Sequence, residues 1–243
     1  MSVSLSALGT RAILLDVEGT TTPVEFVYQV LFPFARAHAA AFLEREGHSP
    51  PCLTAIEQLR RERAMEAPDS VTGAVAGEAD AVLPYVYQLM DSDRKSPGLK
   101  ALQGLIWQEG FRSGELRGQV YSDVPPAFER WRAGGRVIYI YSSGSVLAQQ
   151  LLFATTGAGD LTMALNGHFD TAVGPKTSAD SYRRIAQRIA VAPPEILFVS
   201  DVAAELDAAQ DAGLRTLLCV RAQPAPAGTG RHPPVESFDH IEE

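Results

Sequence analysis

An apolar run of four residues ends on an acid, and a second acid follows two residues later: Ala12-Ile13-Leu14-Leu15-Asp16-Val17-Glu18-Gly19-Thr20-Thr21-Thr22-Pro23. A short unbroken apolar run closed by a glycine turn predicts a strand buried on both faces, and hence a parallel sheet flanked by helices. Such sheets carry their chemistry beyond the carboxyl ends of the strands. Asp16 would stand at that end. If the chain stays extended, Glu18 points the same way, since strand side chains repeat every two residues. Gly19 then lets the backbone turn where a side chain would obstruct it.

The same pattern returns later. Glu195-Ile196-Leu197-Phe198-Val199-Ser200-Asp201 again puts an apolar strand before an acid, and Arg136 to Tyr141 is a β-rich run followed by Ser142-Ser143-Gly144-Ser145. Thr216 to Val220 reads as a further strand. Between these runs, helical periodicity covers Val124–Ala133 (stopped by Gly134-Gly135), Val146–Thr155, Ser178–Val191 with Ser178 or Asp180 as cap, and Ala203–Ala212 (stopped by Gly213). Phe169 to Lys176 reads as a short strand or loop containing Gly174-Pro175-Lys176. Ala222 to Pro234 reads as a surface loop, and Phe238 to Ile241 as a short edge strand. Strands alternating with helices imply an α/β fold with a Rossmann-like parallel sheet.

Residues 24–112 break this rhythm. Val24 to Glu46 is helical, with a kink or break expected at Pro33, and Gly47 to Pro51 is a stop. Thr54–Ala67 reads as a charged helix with a solvated face, Gly73–Asp80 is weakly patterned, and Ala81–Asp91 and Leu99–Gly110 read as helices. The expected organisation is an α/β core made of residues 1–23 and 113–243, with residues 24–112 an all-helical cap inserted after the first strand.

Composition narrows the function classes. Acids outnumber bases by 29 to 21, giving a net charge of −8 without a basic block, which argues against nucleic-acid binding. No apolar stretch approaches membrane-spanning length, and residues 1–11 lack the charged start and apolar core of an export leader, so a cytoplasmic protein without a membrane partner is expected. Two cysteines, Cys52 and Cys219, make no disulfide framework; Cys219, in an apolar run, is expected to be a buried small hydrophobe.

Three strand ends thus carry polar groups, and Lys176 lies in a loop between the second and third. Brought to one rim, they are the parts for phosphoryl transfer through an aspartyl-phosphate. A phosphate monoester dianion repels an attacking anion, and Mg²⁺ relieves this while preferring carboxylate oxygens. Asp16 and Asp201 are the expected side-chain ligands, with the Glu18 backbone carbonyl a third. Asp16 is the expected nucleophile, and Glu18 the acid for the leaving oxygen and then the base for water. Ser142, the backbone near Ser143 to Ser145 and the Lys176 ammonium can meet the phosphoryl charge. Taken singly, Ser142 and Ser145 would be helix caps, Lys176 a solvated lysine and Glu205 either a neighbour of Lys176 or a surface acid. Their joint order carries the argument.

Asp16-Val17-Glu18-Gly19-Thr20, Ser142-Ser143-Gly144-Ser145, Gly174-Pro175-Lys176 and Ser200-Asp201 resemble the four motifs of the haloacid dehalogenase-like hydrolases. More narrowly, Leu15 to Pro23, Gln103-Gly104-Leu105-Ile106-Trp107, Tyr141 to Val146 and Phe169-Asp170-Thr171 resemble the enolase-phosphatase E1 family of methionine salvage. The resemblance runs from about Ala12 to Val220. It departs from the common superfamily pattern in having Glu18 in place of a second Asp, and Glu205 as the nearest acid after Asp201.

The resemblance implies one Mg²⁺ per chain and a phosphorylated diketone substrate, 2,3-diketo-5-methylthiopentyl-1-phosphate. The substrate would be enolised and then dephosphorylated to the acireductone 1,2-dihydroxy-3-keto-5-methylthiopentene. Glu18 is one candidate for the enolisation base. Phe26, Tyr28, Leu31 and Trp107 offer apolar surface for the thioether end, with core packing the alternative for each. A monomer is expected. The rival readings are a Mg²⁺-dependent phosphatase of the same architecture without an enolase step, a dehalogenase, in which Glu18 and Asp201 would have no role, and a non-catalytic phosphate binder, which an intact Asp16 disfavours.

Overall fold

The computed structural model describes residues 2–66, 82–92, 94, 96–221 and 230–243. Gly73–Asp80, Ala67, Ala81 and most of the loop after Arg221 lie outside the described residues. The chain divides into two compact units, residues 1–26 with 117–243, and residues 27–116.

The first unit is built on a parallel sheet. Strand β2 (Ala12–Leu15) is fully buried at all four positions, as its unbroken apolar run requires. It pairs with β3 (Val137–Tyr141) on one side and β5 (Ile196–Ser200) on the other, with Leu15 opposite both Ile140 and Val199. Strand β4 (Gly167–Phe169) extends one edge; β6 (Arg215–Cys219) and β7 (Pro234–Val235) extend the other, giving the order β4-β3-β2-β5-β6-β7. From β2 the chain winds outward through β3 and β4, returns to β5, and winds outward the opposite way. The reversal lies between β2 and β5, where connections leave in opposite directions and open a crevice at the carboxyl ends. Asp16 and Asp201 follow those two strands.

One face of the sheet is closed by α8 (Ala179–Ile189) and α9 (Ala203–Asp211). Tyr182, Ile185 and Leu206 pack there on Leu14, Phe198 and Leu218 in a single apolar cluster. The helices α6 (Val124–Ala133) and α7 (Val146–Ala154) flank β3 and β4. Their buried Phe128, Trp131 and Phe153 form a run of tilted ring pairs that ends on Phe238.

The carboxyl terminus departs from expectation. Pro234 belongs to strand β7 and not to a loop: Pro234 and Val235 pair with Leu218 and Cys219. Proline is tolerated there because β7 is an edge strand. Phe238–His240 is a 3₁₀ turn, and β8 (Ile241–Glu242) pairs with β1 (Val3–Ser4) in a separate two-stranded sheet. Cys52 and Cys219 are both buried and free.

The second unit is helical. A short α1 (Val24–Phe26), at the end of the first unit, leads into a π turn over Val27–Leu31 and then α2 (Phe32–Glu46). Pro33 sits at the start of α2, and the break falls just upstream of it. Proline removes the bond to the residue four back, here Gln29, and the wider π turn opens the ladder at that place. Val24–Glu46 as a whole is, by length and composition, apolar enough to cross a membrane, with a mean hydropathy of 1.2 over its best window. The expectation that no stretch reaches such length is corrected on that point, although Ala35, Ala39, Phe42 and Leu43 are buried within the protein. Helix α3 (Pro50–Glu66) starts four residues before its expected position, followed by α4 (Leu83–Asp91) and α5 (Pro97–Ser113). Phe26, Leu31 and Trp107 are buried, and Trp107 Nε1 donates to Leu31 O at 2.8 Å. Of the four apolar residues considered for the thioether, Tyr28 alone is exposed, at 56%.

One buried ion pair ties the frame of the first unit to the loop after β2. Arg221 Nη1 donates to Asp123 Oδ2 at 2.5 Å, and Arg221 Nε and Nη2 both donate to Thr20 O, at 3.0 and 2.7 Å. Phe238 N and Ser237 Oγ complete the Asp123 carboxylate at 2.6 and 2.9 Å. Burial works against the charged form, but the guanidinium and amide donors outweigh it and hold Asp123 below its ordinary range. A carboxyl whose pKa is lowered in the fold contributes its stability above the unfolded value, about 3.9, and loses it as pH falls through the folded value. Asp123→Asn should therefore cost about 3 kcal/mol at pH 7 in urea unfolding, the order expected for breaking a buried pair. The variant's stability should also fall less steeply than the parent's on acidification.

Candidate active site

The loop after β2 does not stay extended. Thr20, Thr21 and Thr22 all donate their N–H to Val17 O, at 3.2, 3.0 and 2.9 Å, and Gly19 N donates to Thr22 O at 2.8 Å. The chain thus curls back on itself two residues past Asp16. Gly19 has φ +72°, and a Cβ there would come within 2.1 Å of Asp201 Oδ2. Only glycine lets the loop close this tightly against the end of β5.

Asp16 is almost fully buried, at 2% exposure. Its Oδ1 accepts from Val17 N at 2.8 Å and from Lys176 Nζ at 2.5 Å; its Oδ2 accepts from Ser200 Oγ at 3.1 Å. Lys176 is 8% exposed and also meets Glu205 Oε2 at 2.6 Å. Burial opposes the ammonium, but the charges of Asp16 and Glu205 outweigh it and hold Lys176 above its ordinary pKa, so the side chain stays charged. The solvated lysine that the residue alone would suggest is therefore not what forms.

The Lys176 loop is held by its carbonyls. Val173 O accepts from Arg184 Nη1 at 2.9 Å, Gly174 O from Tyr141 OH at 2.9 Å, Pro175 O from Ser181 Oγ at 2.7 Å and Lys176 O from Tyr182 OH at 2.7 Å. Four successive carbonyls each have a side-chain donor, three of them from the first two turns of α8. Ser178 occupies the N-cap position of that helix without a side-chain cap bond.

Glu18 reaches across to β3. Its Oε2 accepts from Ser142 Oγ at 3.3 Å, and Ser142 Oγ accepts from Gly144 N at 3.0 Å. Burial first, and the charge of Asp16 second, push the Glu18 carboxyl above its ordinary pKa. Ser145 is a helix cap, accepting from Ala148 N at 3.2 Å. Ser142 is not a cap; it belongs with Glu18. Ser143 is exposed.

Two residues gain a place that sequence alone left open or did not give. Glu205, undecided from sequence, belongs to the cluster: it meets Lys176 and lies 3.1 Å from Ser200 Oγ, and burial followed by the charge of Asp16 pushes it up to about 7. Its spacing of one helical turn after Asp201 was the available signal. Ser200, the last residue of β5, touches both Asp16 and Glu205; nothing in its type or position announced this.

Among the described residues, no three His, Cys, Asp or Glu side chains are grouped to hold a metal by themselves. The donor set nonetheless fits a small hard cation. Asp201, although solvent reaches it, is pushed up to about 6 by surrounding atoms and then by the charge of Asp16. Asp16 and Glu205 thus contact one ammonium, and Glu18 and Asp201 lie near enough for Asp16's charge to raise both. Mg²⁺ needs only one or two carboxylates, and takes its remaining ligands from carbonyls, water and phosphate.

Residues 10–213 match the haloacid dehalogenase-like hydrolase family. "Enolase-phosphatase E1" of Synechococcus elongatus is 50% identical over 229 residues, 94% of this chain and 96% of that protein. The protein of that name from Klebsiella pneumoniae subsp. pneumoniae is 47% identical over 231 residues, 95% of this chain and 96% of the other. Among solved structures, the UTR4 protein of Saccharomyces cerevisiae superposes with a TM-score of 0.75 at 30% identity, covering 95% of this chain and 99% of that one. CbbY of Rhodobacter sphaeroides in complex with phosphate gives 0.54 at 18% identity, covering 94% and 95%, a likeness of fold alone.

The carboxylate crowding has a measurable consequence. A carboxyl whose pKa is raised in the fold is held more tightly as the acid, so stability falls as pH rises from the unfolded value, about 3.9, through the folded one. In chelator-treated protein, Asp201→Asn should therefore raise stability at pH 8 by about 1 kcal/mol after solvent screening, and by nothing measurable at pH 3.5. Thermal melts at the two pH values check it.

Proposed function

The chain belongs to the enolase-phosphatase E1 family of the haloacid dehalogenase-like hydrolases, and from that premise we propose that it enolises 2,3-diketo-5-methylthiopentyl-1-phosphate and then hydrolyses its phosphate through an aspartyl-phosphate on Asp16, releasing the acireductone of methionine salvage. One observation carries the site chemistry: a buried carboxylate oriented by Val17 N, Lys176 and Ser200, with a second carboxyl of raised pKa at the same strand end.

Asp16 attacks phosphorus. The leaving alkoxide takes a proton from Glu18, whose raised pKa keeps more of it in the acid form near neutrality. Glu18, now ionised, accepts a proton from the water that attacks the phosphoenzyme, and Asp16 is regenerated. Lys176 and the Ser142–Ser145 turn meet the phosphoryl oxygens, with Ser142, Ser143 and Lys176 as the binding groups. Asp16 and Asp201, with the Glu18 backbone carbonyl, would hold one Mg²⁺, which when bound screens the phosphate dianion from the carboxylates. In the preceding enolisation the carbon-bound proton goes to Glu18 in this reading.

Residues 24–112 act as the helical cap in this scheme, and the separation of residues 27–116 as a compact unit supports that division. Tyr28, the exposed aromatic, is its candidate contact for the thioether. The acidic balance supports a protein that works without nucleic acid. A cytoplasmic monomer without a membrane partner completes the proposal.

The second reading, a Mg²⁺-dependent phosphatase without an enolase step, is separated by following the diketone phosphate for a transient enol absorbance before phosphate appears. Asp16→Asn should abolish phosphate release, because the amide is a poor nucleophile and a poorer ligand. Glu18→Gln should slow turnover by about 10²–10⁴-fold with Mg²⁺ binding retained. EDTA should silence the parent enzyme, and added Mg²⁺ should restore it. Near-normal rates in either variant, or metal-independent release, would overturn the mechanism.

A further inference from the structure

Gln149 lies in α7, four residues past the capping Ser145, and is 3% exposed. Its amide makes three hydrogen bonds, with both N–H donors used. Nε2 donates to Gly144 O at 3.0 Å and to Phe169 O at 2.9 Å. Both partners are carbonyls, which only accept, so the NH₂ end must face them. Oε1 consequently faces His168 Nδ1 at 3.2 Å, and an acceptor in that place requires the proton on Nδ1, which fixes the imidazole tautomer.

The partners of this amide belong to the phosphate-binding turn. Phe169 O also accepts from Ser142 N at 3.2 Å. Gly144 N donates to Ser142 Oγ, and Ser142 Oγ donates to Glu18 Oε2. The amide therefore ties the end of β4 to the turn after β3, and that turn presents a hydroxyl to Glu18. A primary amide buried in a helix beside Leu152 and Phe153 is costly unless its donors and acceptor find partners, and here they come from two segments, the turn after β3 at Gly144 and the end of β4 at His168 and Phe169. The arrangement fixes where the turn sits more than it adds to the apolar core.

We propose that Gln149 is a positioning residue for the reaction: it sets the Ser142–Ser145 turn, and through Ser142 the Glu18 carboxyl, while His168 holds the amide in its working orientation. The inference rests on the reading of this site as a phosphate-ester hydrolase.

The test is a double-substitution cycle on the Mg²⁺-loaded enzyme with p-nitrophenyl phosphate. Gln149→Met keeps the length of the side chain and removes all three hydrogen bonds. It should lower kcat roughly 10–100-fold with a much smaller change in KM, as expected when reacting groups are displaced without loss of binding area. In a Ser142→Ala background the same substitution should cost less than about threefold more, because groups that act through one another are not additive. His168→Phe, which leaves Gln149 in place but frees Oε1, should show a smaller kcat loss that also vanishes in the Ser142→Ala background. Losses that multiply in full, or an unchanged kcat in Gln149→Met, would overturn the proposal.

A second measurement does not depend on turnover. Amide hydrogen exchange of peptides spanning residues 142–149 should quicken about tenfold in Gln149→Met, with strands β2 and β5 still protected. Unchanged exchange in that segment, or protection lost throughout the chain, would sink the inference. Failure of the parent to hydrolyse any phosphate ester would count against the hydrolase reading alone.

Discussion

An ammonium buried between two carboxylates sets the terms for the rest of the site. Lys176 Nζ lies 2.5 Å from Asp16 and 2.6 Å from Glu205, and its side chain is almost wholly removed from solvent. A charge in such a place is tolerable only when its partners stay put, since losing one leaves an uncompensated ion in a poorly solvated pocket. The surroundings answer that demand. The loop carrying Lys176 is pinned at four consecutive carbonyls, the loop carrying Asp16 curls onto Val17 O, and Arg221 holds that loop from behind through Thr20 O. The sheet order then explains why the three segments meet: β2 and β5 border the reversal of winding, and their ends open into the same crevice.

Ser200 shows how finely the charge is distributed. Its hydroxyl has one proton and lies 3.1 Å from both Asp16 Oδ2 and Glu205 Oε2, while its oxygen accepts from Val202 N. It can donate to one carboxylate at a time. With Glu205 pushed up to about 7, that carboxyl carries a proton part of the time near neutrality and can itself donate to Ser200. Ser200 is then free to donate to Asp16.

Much of this was legible in the sequence, for physical reasons that differ by residue. Buried parallel strands announce themselves as unbroken apolar runs, so β2, β3, β5 and β6 were found within a residue or two. That Asp16, Glu18, Ser142, Lys176 and Asp201 gather at one end of the sheet was legible because each follows a strand or lies in a loop between two strands. The short strands β1 and β7 were not, and β8 was met only at Ile241, the last residue of the edge strand expected there, because two-residue strands have no periodicity and depend on neighbours distant in sequence. Gln149 and Ser200 were illegible for the opposite reason: they sit inside regular elements, where a lone polar residue looks like any other, and only tertiary contacts reveal what it holds. The break at Pro33 was legible, but its form was not, since a π turn leaves no mark of its own in composition.

The substitution of Glu for the superfamily's more common second Asp is a matter of reach. The contact from Glu18 Oε2 to Ser142 Oγ is already long, at 3.3 Å. An aspartate would withdraw the carboxylate by one carbon–carbon bond, about 1.5 Å, and carry it past hydrogen-bonding distance. The bond across to β3 therefore exists because the side chain is longer. In the proposed reaction one carboxyl takes a proton from carbon and also gives one to a departing oxygen, and so has two positions to serve. A longer side chain, steadied at one end of its range by Ser142 Oγ, meets that requirement in a way that charge alone does not.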